Sequence, residues 1–297
     1  MKNKYIAIIY ALLAAILYAL NIPITKILLD HVEPTMTASL LYLGAGIGLL
    51  VYGGIEKLVK HQEKQERLTK KEFPYTIMMV ALDIIAPILL MIGITKTNSS
   101  NVSLLNNFEI VITSLIALLI FKETISFKLW ISILLVTIAS IILSFDGSNA
   151  FSFNEGSLYV LGATICWGFE NNCTKMISHK SSTEIVVIKG CFSGLGSLII
   201  ALILKESIPE IKWIFALLGL GFVSYGLSIK FYIMAQKNLG AAKTSAYYSI
   251  TPFIGVILSL ILLGERPSIQ FYIALVIMII GSIIITIDSL NKSDQSN

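Results

Sequence analysis

Three carboxylic acids stand in the middle of long apolar runs of this 297-residue chain: Asp83 in MVALDIIAP, Glu109 in NNFEIVIT and Glu170 in WGFENN. In a lipid interior an acid such as Asp costs about 2.5–3.5 kcal/mol on a translocon scale, so each must be protonated, paired with a cation or placed in a wet hollow. A carboxyl held in that way can carry a proton or anchor the ammonium of a solute; structural ion pairing is the competing reading. Amides accompany the acids. Asn106 and Asn107 precede Glu109, Asn171 and Asn172 follow Glu170, and Asn21 precedes Pro23 in the first apolar run. Trp167 and Tyr248 are the ring candidates for lining a cavity that takes organic solutes. Asn21, Asp83, Asn107, Glu109, Trp167, Glu170, Asn171 and Tyr248 are thus the candidate substrate-binding or coupling residues.

The elements that position these residues are set by composition. With 56% hydrophobic and 13% charged residues and a mean hydropathy of +0.82, the chain lacks the polar side chains a water-facing surface needs, so its solvent is lipid. A span across a hydrocarbon layer of roughly 30 Å takes about 20 apolar residues. Ten such segments are expected: Tyr5 to Leu29, Thr35 to Gly54, Pro74 to Thr95, Ser100 to Phe121, Phe127 to Phe145, Ser157 to Ile177, Thr183 to Leu204, Ile211 to Ala235, Ala241 to Leu263 and Ser268 to Ile287. Lys2 and Lys4 before the first run could open a secretory signal, but the run continues without a small-residue cleavage site and reads as a retained span. Cys166, Cys173 and Cys191 fall inside apolar segments as packing residues, with no disulfide framework.

Two offsets relate the halves. A shift of 149 pairs Tyr10 with Tyr159, Ala14 with Ala163, Thr25 with Thr174 and Lys26 with Lys175; a shift of 142 pairs Ser103 with Ser245, Glu123 with Glu265, Ser126 with Ser268 and Ser140 with Ser282. Residues 1–147 and 153–288 therefore read as two five-helix repeats, followed by a polar tail at 289–297. Five is odd, so the second repeat crosses in the opposite sense to the first. The fold class is an all-α polytopic membrane protein with ten transmembrane helices in two inverted five-helix repeats.

Basic residues favour cytoplasmic loops. With both termini inside, that side collects Lys2, Lys4, six Lys/Arg of the Glu56-to-Phe73 loop, Lys122, Lys128, Lys180, Lys237, Lys243 and Lys292, whereas the other side has Lys96, Lys205, Lys212 and Arg266. Lys175, Lys189 and Lys230 match the buried acids in number, but each lies in the cytoplasmic third of its span and is expected to snorkel to the headgroups. The repeat-related Lys26 and Lys175 are the candidates for a gate or an ion pair. Matched interruptions are expected at Asn21-Ile22-Pro23 and Glu170-Asn171-Asn172, in the first and sixth spans. Glu123 and Glu265 end the fourth and ninth spans as structural turns, with Ser126 and Ser268 capping the fifth and tenth helices. Gly44, Gly46, Gly48, Gly194 and Gly196 read as sites of close helix approach.

Enzyme signatures are absent: His31, His61 and His179 lie in separate loops, there is no phosphate-binding glycine loop, and neither a metal nor a cofactor is implied. A net charge of +4 spread over loops gives no nucleic-acid face. The stretches LYALNIPITK and TICWGFENNCTK, the turns IFKETISFKLW and LLGERPSIQFY, and Pro252 in SITPFIG carry a resemblance to the EamA-type family of the drug/metabolite transporter superfamily, from Tyr5 to Ile287. The resemblance implies a secondary transporter of small metabolites in the cytoplasmic membrane, an exporter of amino acids or related amine-bearing solutes working by alternating access around a midplane cavity, with protons as a possible coupling ion. A multidrug exporter of lipophilic cations and a non-transporting membrane sensor or assembly factor are the alternatives. The partners expected are the solute and the bilayer, with no nucleic acid.

Overall fold

The computed structural model of the protein describes residues 2–59, 67–120, 126–144, 154–239, 244 and 247–295; Glu123 lies outside them. Among the described residues every regular element is a helix. The first half holds α1 (Lys2–Ala19), α2 (Asn21–Leu28), α3 (Pro34–Val59), α4 (Phe73–Lys96), α5 (Ser99–Leu105), α6 (Phe108–Leu119) and α7 (Phe127–Ser144). The second holds α8 (Glu155–Ile177), α9 (Ser182–Ile203), α10 (Ile211–Gly221), a π-helical turn over Phe222–Leu227, α11 (Ser228–Leu239), α12 (Thr251–Leu263) and α13 (Ile269–Gln295). Among the described residues six stretches are long and apolar enough to cross a membrane alone: 5–28, 34–55, 70–96, 127–144, 182–203 and 211–235. The helix α8 is long enough but carries Glu170 and three flanking polar residues, and the fourth run is divided between α5 and α6.

The bundle presents an apolar surface and mixes polar groups into its buried, largely apolar core. Ile203, Ile208, Ile261 and Ile269 are each more than 70% exposed, while Asn21, Asp83, Glu170 and a set of Ser and Thr hydroxyls are buried. Such a surface is at rest only against hydrocarbon, which makes this an integral membrane protein. Buried hydroxyls are satisfied by carbonyls, many of them one turn back in their own helix: Ser103 donates to Ser99, Ser224 to Leu220 and Ser259 to Gly255, at 2.7–2.8 Å.

One expected interruption is found and one is not. Pro23 withholds the amide hydrogen that the Ala19 carbonyl would accept, and the helix breaks at Leu20. At Glu170-Asn171-Asn172, by contrast, α8 runs through unbroken. No proline or glycine stands there, and Asn172 Nδ2 spends itself on the Gly168 and Thr113 carbonyls, at 2.9 and 3.2 Å, without opening the helix. The matched breaks occur elsewhere. A turn at Asn106-Asn107 separates α5 from α6, and a turn at Ser249-Ile250 precedes α12; Asn107 and Ser249 are partners under the 142-residue offset.

The halves are interleaved. Helix α3 packs along α9, α4 along α8, α1 along α11, α5 along α12 and α7 along α13. Carboxylates stitch the junction by capping helix ends of the opposite half. Glu206 accepts from the Thr35 and Met36 amides that open α3, at 3.1 and 2.6 Å, and Glu33 returns the contact to the Ser207 amide at 2.6 Å. Glu265 accepts from Ser99 and Ser100 amides at 2.7 and 2.9 Å, so the acid read as a turn residue is the N-terminal cap of α5. Ser126 and Ser268 do cap, accepting from the Leu129 and Phe271 amides at 3.1 and 3.3 Å.

Between α3 and α9 the backbones touch. A Cβ placed on Gly190 would lie 2.4 Å from the Gly46 amide nitrogen, and one on Gly46 2.4 Å from that of Cys191. Because both obstacles are backbone, Gly190→Ala should push the two helices apart and cost about 1–3 kcal/mol, read as a lowered unfolding temperature in detergent. Gly54→Ala, where the added methyl meets nothing within 4 Å, should not lower it.

Candidate functional site

Lys189 stands two turns into α9, after the Ser181 cap and beside Gly190, where the close approach of α3 leaves no room for a bulky neighbour. Its ammonium is not at the headgroups. Nζ lies 3.0 Å from Asp83 Oδ2 on α4 and 3.0 Å from Glu170 Oε1 on α8, with the two acids 0% and 1% exposed. The snorkelling expectation fails for Lys189 because two carboxylates within reach inside the bundle outweigh the climb to water. Lys230 is buried as well, its ammonium 3.8 Å from the centre of the Tyr52 ring. Lys175 is exposed.

The triad is oriented by hydroxyls. Tyr42 on α3 donates to Asp83 Oδ1 at 3.0 Å, and Thr174, one turn beyond Glu170 on α8, donates to Glu170 Oε1. Glu109, in the first turn of α6 and partly buried, accepts from Asn171 Nδ2, which also reaches Thr113 Oγ1 at 3.4 Å. The α6 amide dipole is directed at that carboxyl. Two acids thus share one lysine with a third close by, and the contacts Asp83–Lys189, Glu109–Asn171 and Asn171–Thr113 cross between the halves.

An aromatic wall continues from Tyr42. Its ring centre is 5.2 Å from Tyr225, which meets Tyr18 edge-on at 5.6 Å; Tyr18 lies 6.1 Å from Tyr248, and Tyr248 meets Tyr232 edge-on at 5.0 Å. Tyr225 sits in the π-helical turn, whose extra residue per turn displaces it from the register of a regular helix. Asn21 donates to the Tyr225 hydroxyl at 2.9 Å and accepts from Thr25 at 3.1 Å, which fastens the start of α2 to this wall. Trp167 is buried in the central apolar cluster. Asn107 is buried, and its Nδ2 finds no acceptor among the described residues.

Of the sequence candidates, Asp83, Glu170, Glu109 and Asn171 come together, and Asn21 and Tyr248 join through the tyrosines. Lys26 takes a different role from an ion pair: it donates to the carbonyls of Ile94 and Thr97, the latter at 3.0 Å, and so caps the C-terminus of α4. Lys189, Tyr42 and the placement of Tyr225 were missed. The signal for Lys189 was the charge count, since acids of Asp83's burial demand a cation within reach, but only the α4–α8–α9 packing tells which lysine supplies it. Lys189→Met should leave two buried carboxylates without their cation and cost about 3–5 kcal/mol of stability at pH 8, of which adding Asp83→Asn recovers part, as read from thermal unfolding in detergent.

The EamA-like transporter family model matches residues 5–145 and 154–287. Among curated proteins, an uncharacterized transporter of Methanothermobacter thermautotrophicus is 26% identical, covering 95% of this chain and 85% of that protein. One from Clostridium kluyveri is 25% identical, covering 96% and 93%. The Bacillus subtilis uncharacterized transporter YyaM is 21% identical, covering 92% of each. A solved crystal structure with 12% identity aligns at a TM-score of 0.68 over 95% of this chain and 96% of that one, which shows a shared fold. With the helical bundle, its lipid-facing surface and two family matches that together span both halves, the chain belongs to the EamA-like transporter family.

Proposed function

We propose that this transporter moves small amine-bearing solutes, amino acids or their relatives, out across the cytoplasmic membrane by alternating access. Ten spans in two five-helix repeats of opposite insertion surround the acids, with both termini in the cytoplasm. The contact pattern supports that arrangement: exchanging the repeats turns the α4–α8 pair into α11–α1 and maps α3–α9, α5–α12 and α7–α13 each onto itself. Two near-equivalent halves of this kind have inward-open and outward-open packings of similar energy.

The observation that carries the solute class is the excess of buried acid over buried base at the junction of the halves. Lys189 is shared by Asp83 and Glu170, and Glu109 is held by an amide, with part of its surface still open. Glu109 is therefore the anchor for a solute ammonium, with Asn171 fixing its orientation. Tyr18, Tyr225 and Tyr248 offer ring faces to a cation and to an apolar side chain. Asn107 Nδ2 is a donor in want of an acceptor, which a solute carboxylate supplies.

Purified protein in liposomes should move at least one amine-bearing solute from a panel of radiolabelled amino acids and small amines under an imposed proton gradient, with Glu109→Gln reducing the initial rate by about tenfold or more. No flux of any panel member under gradients of either sign would sink the proposal. Competition by bulky cationic dyes would move it to a multidrug exporter.

A further inference from the structure

The buried triad is divided unequally between the halves. Asp83 and its donor Tyr42 belong to the first, on α4 and α3; Lys189, Glu170 and Thr174 belong to the second, on α9 and α8. If the halves part along the α4–α9 contact, the second keeps a neutral Lys189–Glu170 pair. The first keeps Asp83 with a tyrosine hydroxyl and no cation. A lone carboxylate in that setting is far costlier than a carboxylic acid.

We infer that Lys189 is the transporter's tethered counter-ion and Asp83 its proton carrier: each parting of the halves loads one proton onto Asp83, and each closure lets the lysine ammonium displace it. This rests on the alternating-access reading above and assigns the coupling ion, its carrier and its stoichiometry. A proton is the replacement because the triad has no room for more. Asp83 and Glu170 are almost wholly inaccessible, and two surface grooves, along Ile269–Ile277 and beside Ser249, Phe253 and Ile283, are lined by none of the three. The step balances: the carboxylate gains a proton from whichever aqueous side the opening exposes, becomes neutral, and returns it when Lys189 re-forms the 3.0 Å contact.

The titratable groups facing Asp83 are Tyr42 from α3, Lys189 from α9, Glu170 and Cys166 from α8, and, through their fields, Tyr18 and Tyr225. Lys189 is the cation among them, and its contact crosses between the halves. Glu109 is held by the Asn171 amide, whereas Lys189 is taken by Asp83 and Glu170, so solute and proton are assigned to separate carboxyls.

Proton count sets the sign of the pH dependence. The parted form binds one proton more than the closed form, so its population rises as pH falls, by at most about tenfold per pH unit. Spin labels on K96C in the first half and K212C in the second, in a protein with Cys166, Cys173 and Cys191 replaced by Ala, report the separation by double electron–electron resonance between about pH 5.5 and pH 8.5. The expected result is a pH-driven exchange between two distances in the parent protein, retained in D83E and lost in D83N, with K189M held in the parted form at every pH. Where D83N fails to give monodisperse protein, D83N/K189M, which keeps the cluster's net charge, is measured in its place and should also be flat.

A pH response that survives in D83N or in the double variant overturns the inference, as does a parent protein that is flat across the range. Solute flux alongside a response that ignores Asp83 leaves the transport reading standing and removes this one. A response that depends on Asp83 in a protein that moves no amine does the reverse.

Discussion

An ammonium 3.0 Å from each of two carboxylates that water scarcely touches is an arrangement lipid-embedded helices tolerate only while the cation is present. Remove the cation and two charges are stranded; remove one acid and the lysine keeps a partner. Much of the rest serves this contact. Gly46 and Gly190 let α3 and α9 meet backbone to backbone, which brings Tyr42 and Lys189 to the same depth; Pro23 breaks the first helix so that Asn21 can hold Tyr225 against Tyr42. The polar interior and the small residues around it are one design. A buried ion triad needs helices close enough to exclude water and oriented enough to satisfy every lone pair.

Away from the triad the halves are joined by contacts of a different kind. Glu206, Glu33 and Glu265 cap amides at helix ends or turns of the opposite half, and within the first half Lys26 caps carbonyls that end α4. Each uses an otherwise unpaired backbone group at a helix end, so breaking it exposes that group to headgroups and water instead of hydrocarbon. Such contacts can be released and remade at modest cost. The triad cannot, unless something replaces the lysine. On the alternating-access proposal, this contrast makes the Asp83–Lys189 contact the costly one to part and the helix-end caps the cheap ones.

The two sequence offsets relate some of the helix pairings to one another. A pair such as α4–α8 has its counterpart in α1–α11, yet the charges do not repeat: Asp83 and Lys189 sit on helices that the repeat does not exchange, α4 and α9. The charged groups are thus unevenly distributed, with Asp83 in the first half and both Lys189 and Glu170 in the second.

Much of this was legible in the residues alone. Composition and the length of the apolar runs required lipid and helices, since only helices or closed barrels satisfy their backbones there, and the paired offsets pointed to a duplicated chain. Asp83, Glu109 and Glu170 were identifiable because a charge in an apolar run costs energy wherever the run lies. Partners were another matter. Lys189 reads as a snorkelling residue by its position in the helix, and α8 reads as interrupted by its polar residues, because position along one helix says nothing of what the neighbouring helices offer. The sequence determined which groups are expensive to bury; only the tertiary structure decided which of them meet, because hydrogen bonds and ion pairs are settled by distances of a few ångströms between helices far apart in the chain.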